Sequence, residues 1–196
     1  MPVEIEAKMT VESFDPVRTR LREAGASGPV EHHEVNTFFD TEDRSLLAAD
    51  EGLRLRLDRL VAAGTDRHVI TYKGPRQLGP LKSREELEVE VSDPAGATAL
   101  LERLGYLRTL SFEKRRESWE LDRCKVELDE LPHLGKFVEI EGPDEATVMR
   151  LRERLGLASR PIVKSGYISL LMSHLQERGK TTKDVTFPAA ENRPSL

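Results

Sequence analysis

Val3-Glu4-Ile5-Glu6-Ala7-Lys8-Met9 alternates apolar and charged residues without a break. In a strand, successive side chains point to opposite faces, so Val3, Ile5, Ala7 and Met9 share one side and Glu4, Glu6 and Lys8 the other. Neighbours on a face stand about 6.6 Å apart. Two carboxylates at that spacing repel by roughly 2.5 kcal/mol at an effective dielectric near 20. Water, salt or a bound cation has to absorb that repulsion. A lone segment of this kind is an ordinary half-exposed strand; here the same alternation recurs along the chain.

Gly52 to Asp58 alternates leucines with Arg54, Arg56 and Asp58, and the strand from His68 to Tyr72 ends in Lys73-Gly74-Pro75. Ser83 to Val91 puts Arg84, Glu86, Glu88 and Glu90 on one face, opposite Leu87, Val89 and Val91. Phe112 to Leu121 carries Lys114, Arg116 and Ser118 together, with Trp119 on the opposite parity, the side expected to pack. Lys125 to Glu130 pairs Glu127 with Asp129, and in Lys136 to Gly142 Glu139 and Glu141 oppose Val138 and Ile140. A further extended segment is expected from Val30 to Thr41.

Helices are predicted between the strands. Asp15-Pro16 and Asp93-Pro94 are cap-plus-proline starts, and Gly25 and Gly105 the matching stops. A third helix is expected over Asp144 to Leu155 and a short one over Gly166 to Leu175, with Ile168, Leu171 and Met172 for docking. From about Glu177 the chain turns polar and proline-containing. One domain over 1–176 with a flexible tail over 177–196 is the expectation.

The 196 residues suffice for one domain with a real core, and 33% of them are charged, heavy for a globular chain. With 30 basic and 35 acidic residues the net charge is −5, which argues against a nucleic-acid binder. No apolar run approaches membrane length, and Cys124 is the only cysteine, so no disulfide framework exists. A cytoplasmic protein with no membrane association is expected. The histidines, His32, His33, His68, His133 and His174, lack metal-ligand spacing, and no glycine-rich phosphate loop or nucleophile triad is present.

Strands with one apolar and one charged face can form an open sheet with the charges in water, or a closed barrel with the charges inside and helices outside. The barrel requires a wet lumen and compensated charge. Acids gather at Glu4, Glu6, Asp129, Glu139 and Glu141, and bases at Lys8, Arg54, Arg56, Lys73, Lys82, Arg84, Lys114 and Arg116. Facing a cavity, such segregation would set a metal-holding patch against a basic patch for a polyanion. The residues alone leave both packings open.

The ExExK of Glu4 to Lys8 resembles the signature that opens the CYTH family, the triphosphate tunnel metalloenzymes. The likeness continues in order through Phe38 to Thr41, Gly52 to Arg56, Tyr72 to Pro75, Glu113 to Arg116, Glu127 to Gly142 and Lys164 to Leu171. The later motifs look most like the class IV adenylyl cyclase-like branch. The resemblance implies an α+β fold: a closed antiparallel eight-stranded β-barrel with a charged interior and helices packed outside. It implies that Glu4, Glu6, Asp129, Glu139 and Glu141 hold Mg²⁺ or Mn²⁺, as an all-oxygen set suits. It assigns Lys8, Arg54, Arg56, Lys73, Arg84, Lys114, Arg116 and Lys164 to a triphosphate, and Glu6, Lys8, Lys73 and Asp129 to catalysis. Arginine suits bidentate contact with phosphate oxygens, lysine a mobile point charge.

The implied activity is metal-dependent hydrolysis of inorganic, nucleoside or other organic triphosphates. Cyclisation of ATP to cyclic AMP and pyrophosphate, and triphosphate binding without turnover, are the alternatives. The thiamine triphosphatase branch carries tyrosines where this chain has Phe38-Phe39, which counts against thiamine triphosphate as its substrate. A homodimer is the expectation from related cyclases.

Overall fold

The computed structural model describes residues 3–77 and 79–188. In chain order the elements are β1 (Val3–Val11), α1 (Asp15–Glu23), β2 (Ser27–Asp40), α2 (Ser45–Ala48), β3 (Gly52–Leu60), β4 (Thr65–Lys73) and β5 (Lys82–Glu90). They continue with α3 (Pro94–Arg103), β6 (Leu107–Leu121), β7 (Cys124–Leu131), β8 (Gly135–Glu141), α4 (Glu145–Arg154), α5 (Tyr167–Glu177) and β9 (Asp184–Val185).

The strands run in the order β2-β3-β4-β5-β1-β8-β7-β6, and β6 pairs back onto β2, closing an antiparallel barrel. The closed packing is therefore the one adopted. The closing seam joins the two longest strands, with partners from Ser27↔Glu120 to Asp40↔Leu107. Register sets the charged residues side by side: Glu6 faces Glu141 and Lys82, Lys8 faces Glu139, Arg54 faces Thr71, and Arg116 faces Asp129.

The apolar parity points outward and is covered by helices over much of the barrel, though Leu87 and Val89 of β5 stay exposed. Ala7, Met9, Trp119, Val126, Leu128, Val138 and Ile140 pack under Val17 and Leu21 of α1 and Val148 and Leu151 of α4. Trp119 is buried there, as its parity predicts. A smaller cluster seats Leu101 of α3 on Phe39 and Leu55. Asp144 and Asp93 cap α4 and α3 by accepting backbone N–H groups at 2.7 and 2.9 Å. At α1 the cap moves one residue earlier: Phe14 is the N-cap, and Asp15-Pro16 opens the helix itself.

One end of the barrel is built differently. There the inward parity turns apolar, with Phe38, Leu110, Phe112, Leu131 and Phe137, and Leu171 and Leu175 of α5 pack among them. The helix expected merely to dock therefore closes that end.

The flexible tail expected from 177 onward is corrected for its described part. Asp184 and Val185 pair parallel with Ser111 and Phe112 of β6. The Ser111 N–H donates to the Lys183 carbonyl at 2.7 Å, and that of Phe187 to Glu113 at 2.7 Å. Val185 and Phe187 are buried, and the Arg115 guanidinium lies over the Phe187 ring. Apolar burial and backbone pairing outweigh the polar composition. Residues 189–196 of the expected tail lie outside the described residues.

Candidate active site: a charged tunnel

The barrel encloses a cavity of about 850 Å³. Glu4, Glu6 and Lys8 from β1, Arg54 and Arg56 from β3, Lys73 from β4 and Arg84 from β5 reach its wall. So do Lys114 and Arg116 from β6 and Glu139 and Glu141 from β8. Segments far apart in sequence thus bring nearly every candidate residue to one chamber.

On the basic side, Arg54 donates to Asn36 Oδ1 at 3.2 Å and to Thr71 Oγ1 at 3.1 Å. The Nε atoms of Arg54, Arg56 and Arg84 are buried without a hydrogen-bond partner. Burial and the adjoining Arg56 charge lower the Arg54 pKa, and burial lowers that of Lys73. Crowded cations with unused donors favour an anion among them.

Under the cations lies Glu34, which the sequence reading did not single out. It forms an ion pair with Lys114 at 3.0 Å and stands 3.9 Å from both Arg56 and Arg116. Burial alone would raise its pKa, but Lys114, Arg116, Arg56 and Arg54 outweigh that and hold it well below the carboxylate range. Glu86 and Glu88 also enter the basic patch, beside Lys73 and Arg54 respectively, so the two signs are less separated than the strand pattern suggests. The signal for Glu34 was its shared parity with His32 and Asn36, obscured because Glu31 and His33 are polar too.

On the acidic side, Glu6 accepts from Lys82 at 2.7 Å, with Lys8 at 3.6 Å. Glu139 sits 3.1 Å from Lys8 and 2.8 Å from Arg116. Glu4 Oε2 is buried and lacks a hydrogen-bond partner. Burial raises the pKa of Glu4 against the pull of Lys73. Burial and repulsion from Glu4 likewise raise that of Glu141. An all-carboxylate wall holding an orphaned oxygen and mutually repelling acids is the chemistry a hard divalent cation satisfies, so the residues fit the metal. As the side chains stand, Lys82 and Lys8 occupy Glu6 and Glu139. No three acidic, histidine or cysteine groups among the described residues converge as a preformed metal site.

Two of the assigned residues stand off the cavity wall. Asp129 is fully buried behind the wall, bound by Arg116 through two contacts of 2.6 Å, by the Tyr167 hydroxyl at 2.9 Å and by Lys114 at 3.5 Å. With both oxygens occupied by these donors, it stands in this structure as counter-ion to the basic cluster. Lys164 is exposed, donates to the Gly79 carbonyl at 3.1 Å and does not belong to the cavity wall. Glu127, held by Ser118 at 2.6 Å, and Lys82 are wall residues that the assigned set omitted.

The CYTH domain family model matches residues 2–162. The chain belongs to the CYTH family. It is 28% identical over 177 residues to the adenylate cyclase CyaB of Aeromonas hydrophila, an alignment covering 85% of this chain and 87% of that one. It is 24% identical over 177 residues to a provisionally named adenylate cyclase of Methanocaldococcus jannaschii, covering 86% and 98%. The solved PH1819 protein of Pyrococcus horikoshii superposes with a TM-score of 0.76 at 28% identity, covering 87% of this chain and 99% of that one. CYTH enzymes are divalent-metal-dependent triphosphatases or class IV adenylyl cyclases, and this chain is an enzyme of that group. No helix among its described residues is long and apolar enough to cross a membrane.

Proposed function

We propose that this CYTH enzyme hydrolyses the terminal phosphate of a triphosphate, inorganic or organic, with Mg²⁺ or Mn²⁺. The observation that carries the reading is one chamber in which unpaired guanidinium nitrogens of Arg54, Arg56 and Arg84 face the carboxylates Glu4, Glu6 and Glu141. Glu4, Glu6, Glu139 and Glu141 would hold the cation. When bound, it supplies positive charge to the phosphate oxygens and acidifies the attacking water.

The chain's own side chains do the rest. Arg54 and Arg56 hold phosphate oxygens in their planar forks, fixing the phosphorus against the acidic wall. Glu34, charged and buried, keeps Arg56, Lys114 and Arg116 aimed from below. Lys73, whose ammonium burial weakens, is the cation best suited to pass a proton to the leaving phosphate oxygen. Lys82 and Lys8, which pair with Glu6 and Glu139, are the groups a divalent cation would have to displace from those carboxylates.

A second reading, cyclisation of ATP to cyclic AMP and pyrophosphate, is favoured by the names of the two relatives at 24% and 28% identity. The same grip would serve it, with the ribose hydroxyl as nucleophile at the α-phosphorus. Hydrolysis comes first because a polyphosphate grip meets its needs with no further seat for base and ribose. The test is purified protein with Mg²⁺ or Mn²⁺, offered inorganic triphosphate and ATP, with products resolved by chromatography. Phosphate release supports the hydrolase; cyclic AMP with pyrophosphate replaces it with the cyclase; no turnover of either compound overturns both.

A further inference from the structure

Lys8 is the most enclosed of the wall cations, 2% exposed. From the sheet it faces Glu139 and Glu6. From the other side it meets the segment that leads into α5. The Ser165 carbonyl accepts from Nζ at 3.2 Å, and the Val163 N–H donates to the Lys8 carbonyl at 2.8 Å. The ammonium sits 4.1 Å from the centre of the Tyr167 ring.

Tyr167 makes two further contacts with the same network. Its hydroxyl donates to Asp129 Oδ2 at 2.9 Å, the oxygen that also receives Arg116 Nη2. Its ring lies 5.8 Å from the Lys114 ammonium and is packed edge-on by Phe137, centroids 5.1 Å apart. Burial and the charges of Asp129 and Glu139 raise the phenol pKa well above normal, so it stays a proton donor. The residue belongs to α5, beyond the span 2–162 that the family model matches.

We propose that Tyr167 is a positioning residue for triphosphate binding. Its ring caps the Lys8 ammonium, and its hydroxyl fixes Asp129 and through it Arg116, so the closing helix sets where the tunnel's cations stand. A cation over a buried aromatic face is attracted to it, and a bidentate carboxylate–guanidinium pair has a fixed mutual geometry, so a donor that orients the carboxylate also orients the guanidinium. The inference rests on the triphosphate reading given above.

The test uses the full chain and its Tyr167→Leu and Tyr167→Phe variants. It measures tripolyphosphate affinity by calorimetry, steady-state kinetics and melting temperature. Tyr167→Leu loses both contacts and is expected to raise Kd and KM about tenfold while kcat changes less than about threefold. Tyr167→Phe keeps the ring and is expected to recover most of that affinity, remaining about threefold weaker than wild type. A purely space-filling role would lower the melting temperature without this split. If wild type binds tripolyphosphate and the folded leucine variant matches it, the proposal is overturned while the tunnel reading stands. If wild type does not bind, the two fall together. Should the leucine variant fail to fold, the phenylalanine variant decides: weakened binding supports the proposal, unchanged binding overturns it.

Discussion

Arg116 grips Asp129 through two parallel contacts, Nε to Oδ1 and Nη2 to Oδ2, both 2.6 Å, with the carboxylate wholly removed from solvent. Replacing Asp129 by Asn keeps the shape but leaves Arg116 and Lys114 facing an amide. Breaking one partner of a buried pair costs about 3–5 kcal/mol. Urea unfolding of Asp129→Asn should show a loss of that order. A wild-type midpoint would mean that the pair is already relaxed by water.

Glu6 is ion-paired with Lys82 and Lys8, so Glu6→Gln removes an ion-pair partner as well as the oxygen proposed for the metal. Relief of repulsion between Glu4 and Glu6 is therefore not the dominant effect. Mn²⁺ affinity measured by calorimetry should fall on the order of 10- to 100-fold with loss of turnover, while circular dichroism stays native. Wild-type Mn²⁺ affinity in this variant would remove Glu6 from the metal set.

Arg56 spans Glu34 and Glu88 at 3.9 and 3.6 Å without a close hydrogen bond to either. Its donors are free for a ligand. Arg56→Ala should weaken tripolyphosphate binding roughly 10- to 100-fold, the worth of one charge-assisted contact. Calorimetry giving the wild-type constant would place the phosphates elsewhere.

His32 shares Nδ1 with Asp58 Oδ1 at 2.8 Å, and that hydrogen bond raises its pKa above the usual value despite burial. The charged pair stabilises the fold fully below about pH 6.5, and the contribution fades as pH rises through the higher folded pKa. Chemical denaturation at pH 5.5 and 8.5 should show His32→Asn destabilised by about 0.5–1 kcal/mol more at the lower pH. An equal penalty at both would mean that folding leaves the imidazole pKa unchanged.

Residues 181–188 hold α5 against β6 through β9 and the buried Val185 and Phe187. Ending the chain at 180 should lower thermal stability, since each buried side chain contributes about 1.5–3 kcal/mol as an upper estimate. An unshifted melting curve would show that the strap adds nothing.

The two-faced strands were legible because their faces differ so sharply, while closure into a barrel came from the likeness to the CYTH family. Strict period 2 in Val3 to Met9, Gly52 to Asp58 and Ser83 to Val91 fixed which residues share a wall before any pairing was known. What period 2 does not encode is closure at one end. There Phe38, Phe112 and Phe137 occupy the same parity as the charged residues, and only that switch from ionic to apolar along one face marks the seat of α5. For Asp129, spacing sets a carboxylate on the inner face but does not show the depth at which Arg116 meets it. Lys164 was assigned to the ligand through motif likeness, and its long stem carries the ammonium to an outer loop instead. Strand β9 is too short to have a period.

Strand β1 is hydrogen-bonded to β5 on one side and to β8 on the other, so during synthesis it receives its second neighbour only after residue 141 has been made. Glu4, Glu6 and Lys8 must wait, solvated, until β8 has been made. Pairing of this range is slow to form and leaves edges exposed meanwhile. The acidic wall is thus assembled only once β8 has been made, and chains that stop short of it lack that wall.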